Sequence, residues 1–320
     1  MKTLELVRWG ESRLKDARVD NARLDADLLL GFVLGWRREG LYVERETELE
    51  PVQVAEYREL IRRRAARVPL QYLLRRQEFM GLEFYVDQRV LIPRADSEIL
   101  VEKLIEQVKK GLVEERGLAA EEEFSRTLKI LDVATGSGAL ALSLAHFLPQ
   151  AQVVGVDISA QALDVARFNA ERLGLMVEWR EGDFLEPAAG EKWDWIVTNP
   201  PYLSPEAYAA CEAEILAEPV LAFLGGEDGL DFYRRLAREG AELLAQDGKM
   251  IMEIGWDQAA AVTDILREHG FATEVYQDLA GRDRVVLGWQ AAVQPTTPKW
   301  QGGIRQKHGN KTNIHKHGIS

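Results

Sequence analysis

The chain has 320 residues, 46% of them hydrophobic and 29% charged, which is the composition of an ordinary soluble globular protein. A single cysteine excludes an internal disulfide framework and a cysteine-based metal cluster, and no stretch approaches the ~20 continuous apolar residues of a membrane span. The net charge of -12 is concentrated in residues 81–289, which hold 19 Lys and Arg against 38 Asp and Glu. This charge disfavours stable nucleic-acid binding, and the start of the chain does not read as a secretory signal, so we expect a cytoplasmic protein without membrane association.

Residues 1–78 are expected to form a small all-helical domain. Apolar residues recur three and four positions apart in "LDADLLLGFVLG" and "VAEYRELIRRRAARV", and Gly and Pro punctuate the segments. The basic run "RRRAAR" at 62–67 is interpreted as a solvated helix face rather than a nucleic-acid patch. The alternating segment "EFMGLEFYVDQRVLIP" predicts a β-hairpin linker over residues 79–95, with its turn at "VDQR".

Strand-like and helical segments alternate over residues 96–289. The first helix, "DSEILVEKLIEQVKK", has Asp96 or Ser97 as its expected N-cap, and an acidic connector follows at 111–127. Seven strand-like segments come next: "LKILDV", "AQVVGVDI", "MVEWR", "WDWIVTN", "GKMIMEI", "FATEVYQ" and "RVVLGW". The alternation predicts an α/β fold with a mostly parallel, Rossmann-like sheet that binds ligands at the carboxyl ends of its strands. Residues 290–320 are expected to be a disordered basic tail, and its three histidines are not expected to hold a metal.

A glycine turn follows the first strand, in "ILDVATGSGALALSLA". A strand that enters a helix through such a turn offers free backbone N–H groups to a ligand. The residues expected to approach a cofactor are Ala134, Thr135, Gly136, Ser137 and Gly138. Ala134 stands where the dinucleotide fingerprint requires its leading glycine. Asp132 is expected to face the same crevice, where an acid suits a positively charged ligand better than a pyrophosphate.

Acidic residues also follow the next two strands. Asp157 ends the second strand, 25 residues after Asp132, which is close to the ~20-residue offset of a ribose-binding acid. Asp before Ser is also a good helix cap, so Asp157 alone is a weak signal. After the third strand, Asp183 could accept from an adenine amino group and Phe184 could pack on the ring, although a plain polar turn explains them equally. Together with the glycine turn, these residues and the adjoining Ile158 favour an adenosine-containing cofactor.

The fourth strand ends in "NPPY", residues 199–202. Two prolines end the ladder pairing, and they can also fix two hydrogen-bond acceptors, the side-chain oxygen of Asn199 and the carbonyl oxygen of Pro200. These acceptors can hold both N–H bonds of a planar amino or amide group, while Tyr202 packs on that group and Pro201 stiffens the turn. Such a site would direct the nitrogen lone pair at an electrophile by positioning and electrostatics.

Taken together, these motifs resemble the HemK/PrmC family of N5-glutamine methyltransferases that modify peptide-chain release factors. The resemblance covers residues 58–288 and includes "VLIPRADSEILVE", "NPPY", "GGEDGLDFYRRL" and "MIMEIGWDQ". "NPPY" alone is shared with methyltransferases that act on amino groups of nucleic-acid bases, whereas the flanking segments are particular to the glutamine family. The chain departs from the family pattern at Arg75, in "RADSE" at 94–98, and at Ala134 and Phe184.

The resemblance implies a class I methyltransferase domain that uses S-adenosylmethionine. The cofactor would lie over the 134–138 turn, with its ribose on Asp157 and its adenine near Asp183 and Phe184. The glutamine of a Gly-Gly-Gln loop, in a class I release factor, would occupy the 199–202 bracket, with Asn199, Pro200 and Tyr202 as its catalytic residues. A glutamine methyltransferase for a ribosomal protein and an N6-adenine type nucleic-acid methyltransferase are the alternatives.

Overall fold

The N-terminal part of the chain consists of helices. The computed structural model describes residues 1–116 and 127–290. Its first helices are α1 (Thr3–Asp16), α2 (Ala22–Leu34), α3 (Arg38–Val43), α4 (Pro51–Ala65) and α5 (Leu70–Leu74). Pro51 occupies the first turn of α4, and Gly35 closes α2 in the left-handed conformation that glycine adopts without steric cost. Buried side chains such as Leu29 and Tyr57 give these helices a core of their own, which confirms the all-helical prediction. The boundary at residue 78 stays a prediction.

The basic run on α4 is not a wholly solvated face, so that prediction is wrong in part. Arg62 has a side chain that is 70% exposed, whereas that of Arg64 is only 9% exposed. The Arg64 guanidinium lies 2.7 Å from the carboxylate of Asp25 and 2.9 Å from that of Glu214, which belongs to the C-terminal part of the chain. Arg64 is buried because two carboxylates, one from each part of the chain, compensate its charge.

The predicted hairpin exists, but its turn lies elsewhere. Strands β1 (Gln77–Phe79) and β2 (Leu82–Phe84) pair antiparallel around Met80 and Gly81. Both turn residues have positive φ, at 53° and 73°, as a two-residue type I′ turn requires. The predicted turn at "VDQR" is therefore wrong as a hairpin turn. Asp87 instead accepts hydrogen bonds from the backbone and side chain of Arg89, and no strand is described between Phe84 and Lys129.

The helix after the hairpin begins differently from the prediction. A 3₁₀ turn (Ala95–Ser97) precedes α6 (Glu98–Arg116), so Asp96 and Ser97 lie inside the turn and neither is an N-cap. The Ser97 side chain is buried and accepts a hydrogen bond from Asn199 instead. Most of the predicted acidic connector, and all of the predicted tail except its first residue, lie outside the described residues.

A seven-stranded sheet forms the C-terminal part of the protein, as predicted. Its strands are β3 (Lys129–Val133), β4 (Gln152–Asp157), β5 (Glu178–Glu181), β6 (Trp193–Thr198), β7 (Leu244–Glu253), β8 (Phe271–Gln277) and β9 (Asp283–Gln290). They lie in the order β5-β4-β3-β6-β7-β9-β8, and β9 alone runs antiparallel to both of its neighbours. The chain leaves β3 toward β4 and β5 and returns to the other side at β6, so the sheet has its switch point between β3 and β6.

Helices cover both faces of this sheet. They are α6, α7 (Ala139–Phe147), α8 (Ala160–Leu173), α11 (Asp231–Leu243) and α12 (Ala259–Glu268), whereas the short helices α9 (Pro205–Ala209) and α10 (Ala213–Leu216) have no buried residues. One apolar cluster joins the hairpin, α6 and α7 to the sheet, and a second joins α11 and α12 to it. Strands β3, β4 and β6 are consequently almost entirely buried, and their carboxyl ends open onto a single edge.

Candidate active site

The glycine turn lies at the carboxyl end of β3, at the switch point. Ala134, Gly136 and Gly138 all have positive φ, at 60°, 57° and 80°. Ala134 therefore adopts a left-handed conformation that costs an alanine roughly 1 kcal/mol relative to glycine. A Cβ on Gly138 would lie 2.9 Å from the Trp179 ring, whereas one on Gly136 would meet nothing within 4 Å. The turn is thus packed tightly on its sheet side and open toward the cavity.

Asp132 holds this turn from behind. Its Oδ2 accepts from the Thr135 hydroxyl at 2.5 Å and from the Ala141 backbone N–H at 3.1 Å. The side chain is fully buried and lies outside the cavity lining, so its expected position facing the crevice is wrong. Burial raises the pKa of Asp132 to about 7.

Asp157 joins the end of β4 to the glycine turn. Its Oδ2 accepts from the Gly136 N–H at 2.8 Å, and its Oδ1 accepts from the Ser159 N–H at 2.9 Å. Burial raises the pKa of Asp157, and the two N–H groups oppose that shift. Asp157 and its neighbour Ile158 both line the cavity, in contrast to Asp132.

Asp183 and Phe184 form the third part of the cavity wall, after β5. Phe184 is buried with a φ of 54°, and its ring meets the edge of Phe232 at 5.4 Å between centroids. Arg235 of α11 lies 4.9 Å above the Phe184 ring and bonds Asp183 at 3.0 Å. Arg235 orients both residues, although no motif in the sequence marked it.

The bracket residues follow β6 directly. Thr198 donates its hydroxyl proton to the carbonyl oxygen of Val133 at 2.7 Å, which holds the start of the bracket beside the glycine turn. Asn199 donates from Nδ2 to the Ser97 hydroxyl at 3.2 Å, so its Oδ1 remains available as an acceptor. Tyr202 donates its hydroxyl proton to Glu253 at 3.3 Å.

Two cavities meet at Asn199. The larger encloses about 1120 Å³ including its solvent-open mouth, and the predicted residues that line it are Ala134, Thr135, Gly136, Ser137, Asp157, Ile158, Asp183, Phe184, Asn199 and Pro201. The smaller encloses about 320 Å³ and is lined by residues that include Arg94, Asn199, Tyr202, Phe223 and Glu253. The first cavity is more than three times the volume of the second, so the first is the better candidate for a nucleoside-sized cofactor and the second for a single side chain.

Two glycines, Gly225 and Gly229, pack against the back of the bracket. A Cβ on Gly225 would lie 2.5 Å from the carbonyl oxygen of Pro201 and 2.9 Å from the Cα of Tyr202. Leu203 donates its N–H to Phe223 at 2.7 Å, and the Gly225 N–H donates back to Leu203 at 2.9 Å. The "GGEDG" segment therefore fixes the bracket through backbone contacts that only glycine allows.

Sequence reasoning missed two side chains beside the bracket: Ser97, which lines the larger cavity, and Glu253, which lines the smaller one. Glu253 is the last residue of β7 and is 2% exposed among apolar neighbours. One sequence signal existed, because a lone acid in the apolar run "MIMEIG" predicts a buried carboxylate that needs partners.

No helix within residues 1–116 and 127–290 has the length and apolar character of a membrane span, and no three potential His, Cys, Asp or Glu ligands cluster there.

Comparisons with known proteins bear on the family of this chain. Residues 5–74 match the family described as the PrmC N-terminal domain, and residues 118–220 match the methyltransferase small domain. The release factor glutamine methyltransferase of Moorella thermoacetica is 43% identical over 87% of this chain and 95% of its own length. That of Geobacter sulfurreducens is 40% identical over 89% of this chain and 95% of its own length.

Solved structures agree on the fold. The hMettl16 catalytic domain, solved with the MAT2A 3′UTR hairpin 6, has 15% sequence identity to this chain and a TM-score of 0.51. The match covers 72% of this chain and 82% of that one, and it supports the class I methyltransferase fold. Two domain families match this chain, and its sequence identity to the relatives extends over nearly their whole length. This chain therefore belongs to the release factor glutamine methyltransferase family.

Proposed function

We propose that this protein transfers a methyl group from S-adenosylmethionine to the side-chain amide nitrogen, N5, of a glutamine in the Gly-Gly-Gln loop of class I release factors. One observation carries the proposal: Asn199 lines both cavities, so it stands between a site for a nucleoside-sized molecule and a site for one side chain. A transfer enzyme needs this arrangement because donor and acceptor must meet at one point.

The residues of the larger cavity fit S-adenosylmethionine. The open side of the Gly136 turn accommodates close approach of a ligand, and Asp157 offers carboxylate oxygens where a ribose would present hydroxyl groups. Phe184 offers an apolar ring beside Asp183, which suits an adenine with its amino group. When bound, this cofactor supplies an electrophilic methyl group.

The bracket prepares the acceptor nitrogen. An amide nitrogen is a poor nucleophile because its lone pair is delocalised into the carbonyl group. The Oδ1 of Asn199 and the carbonyl oxygen of Pro200 would accept its two N–H bonds, and Tyr202 would pack on the amide plane. Held in this way, the lone pair points toward the larger cavity, and the nitrogen loses one proton as it gains the methyl carbon.

The partner is proposed from the relatives and from charge. Both relatives described above are named for release factors. Residues 81–289 are strongly acidic, so the protein repels nucleic acid and attracts a basic protein surface. These observations favour a release factor over DNA or RNA as the substrate.

A labelling experiment tests the function. The purified protein is incubated with radiolabelled S-adenosylmethionine and, separately, with a class I release factor, the same factor with its loop glutamine changed to alanine, a ribosomal protein fraction, and nucleic acid. We expect label only on the unchanged release factor. Label on nucleic acid, or label that survives the glutamine change, contradicts the proposal.

Asn199→Ala tests the bracket within the same assay. It should lower kcat by roughly 10²–10³, as loss of one preorganised hydrogen-bonding group does in other enzymes, while cofactor affinity changes much less. Asn21→Ala, at an exposed residue next to α2, is the control and should leave both unchanged. Equal losses of turnover and cofactor affinity would mean that Asn199 chiefly binds the cofactor.

A further inference from the structure

Glu253 is a buried carboxylate at the wall of the smaller cavity. Its Oε1 accepts from the Tyr202 hydroxyl at 3.3 Å, and its Oε2 has no hydrogen-bond partner among the residues that the structure describes. A buried carboxylate without full hydrogen bonding costs several kcal/mol, so a polar residue at this position needs an explanation. The family motif "NPPY" does not include Glu253.

Ser97 connects Glu253 to the bracket. Its hydroxyl opposes the rise in the pKa of Glu253, and the unpartnered Oε2 of Glu253 leaves that carboxylate free to accept a hydrogen bond. The same hydroxyl accepts from Nδ2 of Asn199 at 3.2 Å. Because the Ser97 hydroxyl accepts from Asn199, its one proton remains available for the Glu253 carboxylate, to which Tyr202 also donates.

Charges of both signs act on the buried Glu253. Burial raises its pKa to about 6, the guanidinium of Arg284 on β9 opposes this shift, and Asp96 in the 3₁₀ turn adds to it. Arg284 is shared with other acids, since it lies 3.4 Å from Asp96 and 3.2 Å from Asp278. Arg94 faces Tyr202 and pairs with Glu218. Among residues 1–116 and 127–290 no cation pairs with Glu253 alone, so its ionised form relies on hydrogen-bond donors and on the shared Arg284.

We propose that Glu253 is a positioning residue, which orients the amide of Asn199 through Ser97 and the ring of Tyr202 directly. An ionised carboxylate only accepts hydrogen bonds, so Ser97 must donate to it and must accept from Nδ2 of Asn199. That order turns Oδ1 of Asn199 toward the substrate. A protonated carboxyl group or an amide at position 253 could donate to Ser97. The Asn199 amide could then turn, and its N–H groups would face the N–H groups of the substrate amide.

Glu253→Gln tests this inference, which rests on the proposed function. The variant keeps the size of the side chain but can donate. We expect kcat on the release factor to fall about tenfold or more, because the Asn199 amide would no longer be held in one orientation. Cofactor affinity should be unchanged. Glu274→Gln, at an exposed position of β8, is the matched control and should retain wild-type kcat.

The pH profile separates positioning from a structural role. The accepting, ionised form dominates above pH 6, so wild-type kcat should fall as the pH drops through about 6, the pKa of Glu253. Glu253→Gln should lack this acid limb. Wild-type kcat in the variant, or an acid limb that persists in it, overturns the inference, whereas absent labelling by the wild-type protein overturns the proposed function instead.

Ser97→Ala tests the link between Asn199 and the carboxylate independently. It should lower kcat by itself, and the double variant with Glu253→Gln should be little worse than either single one, because both break one chain. If Glu253→Gln does not fold, Ser97→Ala decides the question with the same kcat measurement. Unchanged kcat in Ser97→Ala, or fully additive losses, refutes the chain.

Discussion

The buried ion pairs of Arg64 offer a quantitative test of how the helical domain is held. Arg64→Ala removes the guanidinium that compensates Asp25 at 2.7 Å and Glu214 at 2.9 Å. The side chains of Arg64 and Asp25 are 9% and 6% exposed, so water cannot replace the lost partner. Removal of one member of a buried pair costs about 3–5 kcal/mol, and we take the lower bound because Glu214 is 19% exposed.

The neighbouring Arg62 provides a matched control on the same helix. It also pairs with an acid, Glu59 at 2.6 Å, but both side chains are more than half exposed. Solvent screens such a pair, so Arg62→Ala should have no measurable effect on stability. Arg64→Lys keeps the charge but not the forked geometry that serves two carboxylates, and its effect should be intermediate.

Hydrogen exchange of peptides from α2 and α4 measures the effect where it arises. A loss of about 3 kcal/mol corresponds to amide exchange more than a hundredfold faster, provided that exchange proceeds by cooperative opening of the helical core. If Arg64→Ala and Arg62→Ala exchange at the same rate, the buried pairs do not stabilise the domain and the reasoning from burial fails.

Three further predictions concern the site. Gly225→Ala should lower kcat strongly in steady-state assays, because the new Cβ would lie 2.5 Å from the carbonyl oxygen of Pro201. Gly111→Ala is the control and should leave kcat unchanged, because a Cβ there meets nothing within 4 Å. Asp157→Asn should weaken cofactor binding in calorimetry by roughly tenfold or more, as loss of hydrogen bonds to a charged group does, and Asp164→Asn on the exposed face of α8 should not. Asp132 has a pKa raised by burial to about 7, so its contribution to stability is complete below about pH 4 and is lost as the pH rises through 7. Asp132→Asn should therefore reduce the fall in Tm between pH 5 and pH 8, and an unchanged fall would contradict this assignment.

The parts of the structure that follow local rules were predictable from the sequence. Strand–helix alternation gave the seven-stranded sheet, and polar residues after each strand gave Asp157, Asp183 and Asn199, which all line the larger cavity. The hairpin turn was misplaced because "VDQR" and Met80–Gly81 are both competent turn sequences. Only the φ values of the second pair fit the pairing of the strands that flank it.

The parts that were missed depend on partners far apart in the chain. Arg64 and Glu214 are separated by 150 residues, and Asn199 and Ser97 by 102. Periodicity assigns a residue to a face of its own helix, but it does not show which other element covers that face. The sequence therefore suggested a solvated Arg64, a capping Ser97 and no role for Glu253, although each of them has a side-chain partner far away in the chain.

These long-range contacts converge on one short segment beside the bracket. Glu214 on α10 accepts from Arg64 of the helical domain, and Glu218, four residues later, accepts from the Ile92 N–H at 2.9 Å and pairs with Arg94. The same segment continues to Phe223, whose carbonyl oxygen holds the bracket and whose side chain lines the smaller cavity. Because two carboxylates fix this segment, the helical domain and the amide bracket share one support. The position of the proposed substrate amide thus depends on residues that contact neither substrate nor cofactor.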